Sequence, residues 1–241
     1  MTTTLKTTTK TKSKTLTEAA AILSDGPAAA EAPRDCPLCP RLVAYREDNA
    51  RSFPDWFNGA VASFGSHDAR LLVVGLAPGL RGANRTGRPF TGDFAGGLLY
   101  ATLKKFGFAK GEFEARIDDS LTLTDAMVTN AVRCAPPHNK PVGAEIKQCR
   151  TYLAARIAAL PRLRAIVCLG RIAHESIIAA YGLRQRAAPF AHAAAHGLDS
   201  GGVRLFDSYH CSRYNTNTGR LTPEMFERVF LDVRTYLDAT G

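Results

Sequence analysis

Residues 71–93 read LLVVGLAPGLRGANRTGRPFTGD. The first five, Leu71–Gly75, form an apolar run closed by glycine, the pattern of a strand buried on both faces. From Gly75 to Asp93 there are five glycines in nineteen residues, a loop whose backbone can approach a ligand and present N–H groups to it. Working outward, the strand–loop–helix alternation repeats. Leu99, Leu103 and Phe106 recur at i, i+4 and i+7 as a helix stripe. A second strand is predicted over 126–132, then a helix with Ile146, Cys149, Leu153 and Ile157 on one face. The run AIVCLG at 165–170 is a third strand, followed by a helix over 172–181 closed by Gly182. A fourth strand is expected over 203–209. Thr222 then caps a last helix, with Pro223 in its first turn and Phe226, Phe230, Val233 and Leu237 facing inward.

Strands alternating with helices imply parallel pairing and right-handed crossovers. The expected architecture is therefore α/β, a three-layer αβα sandwich around a central, mainly parallel four-stranded sheet. In such a sheet the ligand site lies at the carboxyl ends of the strands. The chain has 241 residues, 45% apolar and 22% charged, enough for one domain with a sizeable core, placed at 31–241. No run approaches the ~18 apolar residues of a membrane span, and the first sixteen residues contain no apolar segment of a secretory signal. A cytoplasmic protein with no membrane association is expected. Lys plus Arg is 31 against 22 for Asp plus Glu, a surplus of +9, of which Lys6, Lys10, Lys12 and Lys14 supply four. A basic surface favours polyanions, nucleic acid first, without naming a function. Residues 1–30, Thr/Lys-rich and then Ala-rich, read as a disordered or partly helical tail. It is a solvated arm or, alternatively, a nonspecific phosphate contact.

The exit loops carry the chemistry. The first is neither a Walker A loop, lacking the Gly-Lys-Ser/Thr ending, nor a G-x-G-x-x-G dinucleotide loop. The second strand exits at Thr129-Asn130, the fourth at Tyr209-His210-Cys211-Ser212 and on to Arg220. Thr-Gly-Arg occurs in two of these loops, at 86–88 and 218–220. A hydroxyl, an open backbone and a guanidinium make a sound phosphate grip; two ordinary glycine turns with exposed arginines are the competing reading. The loops bring one carboxylate (Asp93), one amide (Asn130), one imidazole (His210) and one ring (Phe90) to the same edge. A flat heterocycle needs a ring to stack on and an amide to read its edge. Cleaving it from a sugar needs anionic help for a cationic sugar and a donor for the departing base.

Six cysteines without an export signal argue against a disulfide framework and for metal binding or core packing. Cys36-Pro-Leu-Cys39 has the spacing of two thiolates on one metal centre, with Cys134 and Cys149 far downstream. The lack of a second close pair weakens a zinc ribbon. Arg34, Arg41, Arg133 and Arg150 lie nearby in sequence and can balance thiolate charge. Cys168, inside AIVCLG, reads as core, and Cys211 as a packing or loop residue. His67, His138, His174, His192 and His196 show no metal-ligand spacing, and 192–196 reads as a loop. A zinc deaminase is excluded because no H-x-E precedes Cys36.

At these residues the chain closely resembles the uracil-DNA glycosylase superfamily, specifically its UDGb (family 5) branch. The matching stretches are GLAPGLRGANRTGRPFTGD at 75–93, TNAVRCAPP at 129–137 and HCSRYNTNTGRLTP at 210–223. The resemblance covers nearly everything from about residue 34 onward. It implies that Phe90 stacks on an extruded base, that Asn130 reads its edge, and that His210 donates to its carbonyl. Gly75, Leu76, Ala77 and Gly79 correspond to the superfamily's water-activating motif. Many relatives keep an acidic or amide side chain there; Leu76 and Ala77 provide none, and the resemblance assigns the task to Asp93. Cys211 stands where the motif usually has proline, a departure that bears on the loop's rigidity. Asn84, Arg85, Arg88, Ser212, Arg213, Asn215 and Arg220 are the expected DNA contacts, with Arg213 and Tyr214 as candidates to wedge into the duplex. The resemblance also implies a [4Fe–4S] cluster of structural role, held by Cys36, Cys39, Cys134 and Cys149. The implied activity is that of a monomer hydrolysing the N-glycosidic bond of uracil, and of other deaminated bases such as hypoxanthine, in DNA. A uracil-only UDGa-type enzyme and a non-catalytic iron–sulfur DNA-binding protein are the alternatives.

Overall fold

The apolar runs pair side by side because each has two apolar faces to cover. The computed structural model describes residues 30–240, so the expected tail lies, apart from Ala30, outside the described residues. In chain order the strands are β1 (Phe64–Gly65), β2 (Leu71–Gly75), β3 (Ala109–Lys110), β4 (Thr122–Leu123), β5 (Ala126–Asn130), β6 (Ala165–Leu169), β7 (Ala195–Gly197) and β8 (Arg204–Ser208). β2, β5 and β6 are buried at every position. The main sheet runs β1-β5-β2-β6-β8-β7, with β5, β2, β6 and β8 mutually parallel. It therefore has six strands rather than the four expected. The two extra strands are antiparallel edges of two and three residues, too short to carry a periodicity of their own. The histidine-rich stretch read as a loop thus contributes an edge strand at 195–197, held by backbone pairing with β8. β3 and β4 form a separate hairpin.

Side chains alternate across the sheet as the pleat requires. Leu71 and Val73 face one cluster; Leu72 and Val74 face the other. The first cluster is closed by Leu99 and Leu103 of α3 (Phe94–Lys105) and by Phe226, Phe230, Val233 and Leu237 of α7 (Pro223–Ala239). The second is closed by Leu153 and Ile157 of α4 (Gly143–Ala158) and by Ala173 and Ile177 of α5 (Arg171–Ala180). This is the three-layer αβα sandwich. Thr222 Oγ1 caps α7, accepting from the Met225 N–H at 3.2 Å. Phe106 falls just past the end of α3. A third, smaller cluster joins Leu42 of α1 (Pro40–Ser52) to Val132 and the cysteines at 36, 134 and 149. The single turn α2 (Ala83–Thr86) and the short α6 (Arg213–Asn217) lie in the loops leaving β2 and β8.

Candidate active site

Gly75 ends β2 opposite Asn130, the last residue of β5. A Cβ at position 75 would stand 2.5 Å from Asn130 Oδ1 and 2.5 Å from Phe90 Cζ. Only glycine lets the ring and the amide close over the strand end. Phe90 itself has φ +53°, a left-handed conformation that a bulky residue adopts only when its surroundings impose it. Arg88 is a large part of those surroundings. Its guanidinium meets Asp119 in a two-pronged ion pair (2.7 Å to each oxygen) and donates to Arg116 O at 2.8 Å and Thr91 Oγ1 at 2.8 Å. Tyr100 Oη donates to Pro89 O at 2.5 Å. The turn is thereby fastened to α3 and to the segment before β4.

Asp93 occupies the N-cap position of α3, and the glycine loop folds onto it. A Cβ at Gly79 would lie 3.2 Å from Asp93 Oδ2, and one at Gly82 would collide with it. Among the described residues, Asp93 Oδ1 is buried without a hydrogen-bond partner. Burial raises the pKa of the carboxyl above the ordinary carboxylate range, only partly offset by the backbone N–H groups of Gly96 and Ala95. His210 leaves β8 with its ring 6.0 Å from that of Phe90, the planes 25° apart. Burial pulls its pKa down to about 4, so the imidazole is neutral at pH 7. Asn215 Nδ2 donates to His210 O at 2.8 Å and fixes the backbone that presents this ring. Cys211 Sγ donates to Ala95 O at 3.6 Å inside the core, tying the His210 loop to the start of α3 where the motif usually has proline.

These groups face one cavity of about 390 Å³, lined by Phe90, Asp93, Asn130 and His210 and walled by apolar residues including Leu76, Ala77 and Ala83. Among the described residues neither the Asn130 amide nor the His210 ring has a hydrogen-bond partner. The size suits one small flat ligand. Phe94 and Asn139 are among the lining residues that escaped the sequence reading. Phe94 follows Asp93 and stands under the Arg213 guanidinium at 5.2 Å. Asn139 enters from a 3₁₀ turn at φ +56°. The signal for Asn139 was present in Pro136-Pro137-His138-Asn139, a turn sequence ending in a residue that tolerates left-handed backbone.

The family model of the uracil DNA glycosylase superfamily matches residues 62–234, a span that contains every one of these groups. The chain belongs to that superfamily, on its type 5 branch. It is 47% identical over 205 residues to the type-5 uracil-DNA glycosylase of Thermus thermophilus, covering 83% of this chain and 92% of that one. The type-5 uracil-DNA glycosylase of Mycobacterium leprae is 41% identical over 207 residues (83% and 90%). That of Pyrobaculum aerophilum is 38% identical over 199 (81% and 86%).

Within this uracil-DNA glycosylase fold the expected DNA contacts divide. Arg85, Arg213 and Arg220 are exposed, and Ser212 is half-buried at the head of α6. Arg88 is turned inward by its pairing with Asp119, so the first Thr-Gly-Arg is no phosphate grip. Its Thr86 hydroxyl likewise donates to Thr91 O at 3.0 Å. Asn84 is buried with its Nδ2 donating to Asn58 Oδ1 at 2.9 Å, and the Asn215 side chain serves His210. These three are structural because each has found a protein partner.

The cysteines at 36, 39, 134 and 149 are all unpaired and line one small pocket between α1, α4 and the loop after β5. The Arg133 N–H donates to Cys149 Sγ at 3.2 Å, and Arg46 Nη1 lies 3.9 Å from Cys134 Sγ. Burial, together with neighbouring thiols, pushes Cys134 up to about 12 and Cys149 up to about 11. Among the described residues no group of three or more His, Cys, Asp or Glu side chains could hold a metal ion as it stands. No helix among them is long and apolar enough to cross a membrane.

Proposed function

We propose that this chain is a uracil-DNA glycosylase acting in DNA repair: it takes an extruded uracil into the cavity and hydrolyses its N–C1′ bond, leaving an abasic site. The reading rests on Asp93, Asn130 and His210, three groups far apart along the chain that face the same cavity beside the Phe90 ring. As the bond breaks, its electron pair leaves with the base and positive charge grows on the sugar. The Asp93 carboxylate, which lines the cavity, stabilises that charge and orients or deprotonates the attacking water. Its raised pKa makes it the stronger base. His210, neutral near pH 7, donates a hydrogen bond to the departing base without having to surrender a full proton. Asn130 reads the base edge, and Phe90 supplies the stacking face.

The range extends to deaminated purines such as hypoxanthine. Ala77 and Ala83 contribute small apolar side chains to the cavity lining, and Leu76-Ala77 offers no second carboxylate of the kind a uracil-only enzyme uses. Incubation with duplexes carrying uracil or hypoxanthine, followed by alkaline cleavage, tests both claims. Strand breaks are expected at both bases. Breaks at uracil alone would restrict the range, and breaks at neither would leave a DNA-binding protein without chemistry.

We infer that the cysteine pocket takes a [4Fe–4S] cluster rather than zinc, because among the described residues its thiols form no group that could hold a single ion. Four thiols on one small ion must converge to about 3.8 Å apart, whereas a cluster anchors each thiolate to a different iron and keeps them apart. Cys36, Cys39, Cys134 and Cys149 would hold it, and the Arg133 N–H and Arg46 would offset thiolate charge. The group would supply a structural cross-link between α1, α4 and the loop after β5. Purified protein should contain iron and acid-labile sulfide; stoichiometric zinc without sulfide would overturn the assignment. A monomer working in the cytoplasm completes the proposal.

A further inference from the structure

His210 has a second side. Beyond it, at the carboxyl ends of β6 and β8, runs a groove of about 340 Å³ lined by Arg171, Phe190, Tyr209 and Arg220. Neither guanidinium has an ion pair or hydrogen bond among the described residues. Many arginines elsewhere are paired, as in Arg41–Glu145, Arg70–Asp125 and Arg162–Asp68. Yet these two are held in place. Arg171 Cζ lies 5.4 Å from the centre of the Phe190 ring, and Arg220 Cζ 4.6 Å from that of Tyr209.

The two rings are themselves braced. Tyr209 stacks on His192 at 5.0 Å and 17°, and its backbone N–H donates to His192 Nδ1 at 3.2 Å. Phe190 meets the edge of His174 at 5.6 Å. His174 is buried between Asp207 Oδ1 and Ala188 O, at 2.8 Å from each, and so pins the segment that carries Phe190. A guanidinium supported on an aromatic shelf keeps its N–H groups free for two-pronged contact with a phosphate. Because the shelf already restricts it, little freedom is lost on binding.

We propose that this groove is a phosphate clamp for the DNA strand carrying the extruded nucleotide, with Arg171 and Arg220 gripping phosphodiester oxygens beside the base cavity. The proposal rests on the glycosylase reading and adds a backbone subsite built on Phe190 and Tyr209. The test is the Kd for a duplex holding a tetrahydrofuran abasic analogue, measured over a salt series. Wild type is compared with Arg171→Ala, Arg220→Ala, the double variant and Phe190→Leu, each first checked for a wild-type melting profile.

Each arginine variant should weaken binding about tenfold and lower the salt slope by about one. Phe190→Leu keeps every charge, so it should weaken binding several-fold with the slope unchanged. A single methylphosphonate beside the abasic analogue should reproduce the Arg171→Ala loss on wild type and add nothing to that variant. Wild-type affinity and slope in the double variant, or methylphosphonate losses that add to Arg171→Ala at every position, would overturn the clamp. Uracil excision by wild type is read on the same preparation. A chain that grips phosphate but excises nothing thus fails the glycosylase reading and leaves the clamp standing.

Discussion

The base cavity and the cysteine pocket lie at the two ends of one short span, Asn130 to Cys134, and treat their polar atoms in opposite ways. Among the described residues, the Asn130 amide and the His210 ring line the cavity without a hydrogen-bond partner, and the space they face is open to a ligand. In the pocket, Cys149 receives the Arg133 N–H, Cys134 faces Arg46 and Cys36 meets Tyr152 Oη at 3.9 Å. Polar atoms left unsatisfied beside open space are held for a visitor, because a protein gains nothing in stability by burying them alone. Three of the four pocket thiols, by contrast, already meet a polar group of the protein.

The sharpest way to break this contrast is Asp93→Ala. Single-turnover uracil excision should fall by about a thousandfold while duplex binding persists; near-normal excision would remove Asp93 from the chemistry. The wild-type rate should rise with pH as Asp93 ionises, through a value above the ordinary carboxylate range, and then stay level. His210, titrating at about 4, adds no second step near neutrality.

Next comes Arg88→Ala, which strands Asp119 without its partner in a shielded site. A loss of about 3 kcal/mol in urea unfolding is expected. The Arg88 hydrogen bonds hold Asp119 down at about 2, so this stabilisation is present above the unfolded carboxylate pKa and disappears as pH falls toward about 2. An unchanged midpoint at pH 7 would show that the Phe90 turn stands without this pair.

The smallest effect runs the other way. Asp93 has a folded pKa above its unfolded value, so ionisation at neutral pH works against the fold. Asp93→Asn should raise stability by about 1 kcal/mol at pH 7, with the gain vanishing below the carboxylate range. A variant that melts below wild type at pH 7 would contradict this burial cost.

Most of the sandwich was legible because its central strands are continuous apolar runs and its helices carry stripes of matching period. The edges were not. Phe64–Gly65 and Ala195–Gly197 are strands only because β5 and β8 offer them backbone groups to pair with. The site divides along the same line. Asp93, Asn130, Phe90 and His210 were visible in motifs at strand exits, where topology guarantees convergence. The two Thr-Gly-Arg segments show the limit. Arg88 is drawn inward by Asp119, 31 residues away along the chain, whereas Arg220 rests on Tyr209 at the surface. Nothing local distinguishes the two tripeptides; the distant carboxylate does. The Arg171–Phe190 shelf was hidden for the same reason.

Position 75 sets a boundary on redesign. A methyl group there would occupy the space of the Phe90 ring and the Asn130 amide at once. Base preference therefore cannot be retuned from beneath by graded increases in bulk: the floor admits hydrogen or forces both recognition groups away together. Gradual change has to come through other lining positions, such as Ala77 and Ala83, where a small side chain can be enlarged step by step.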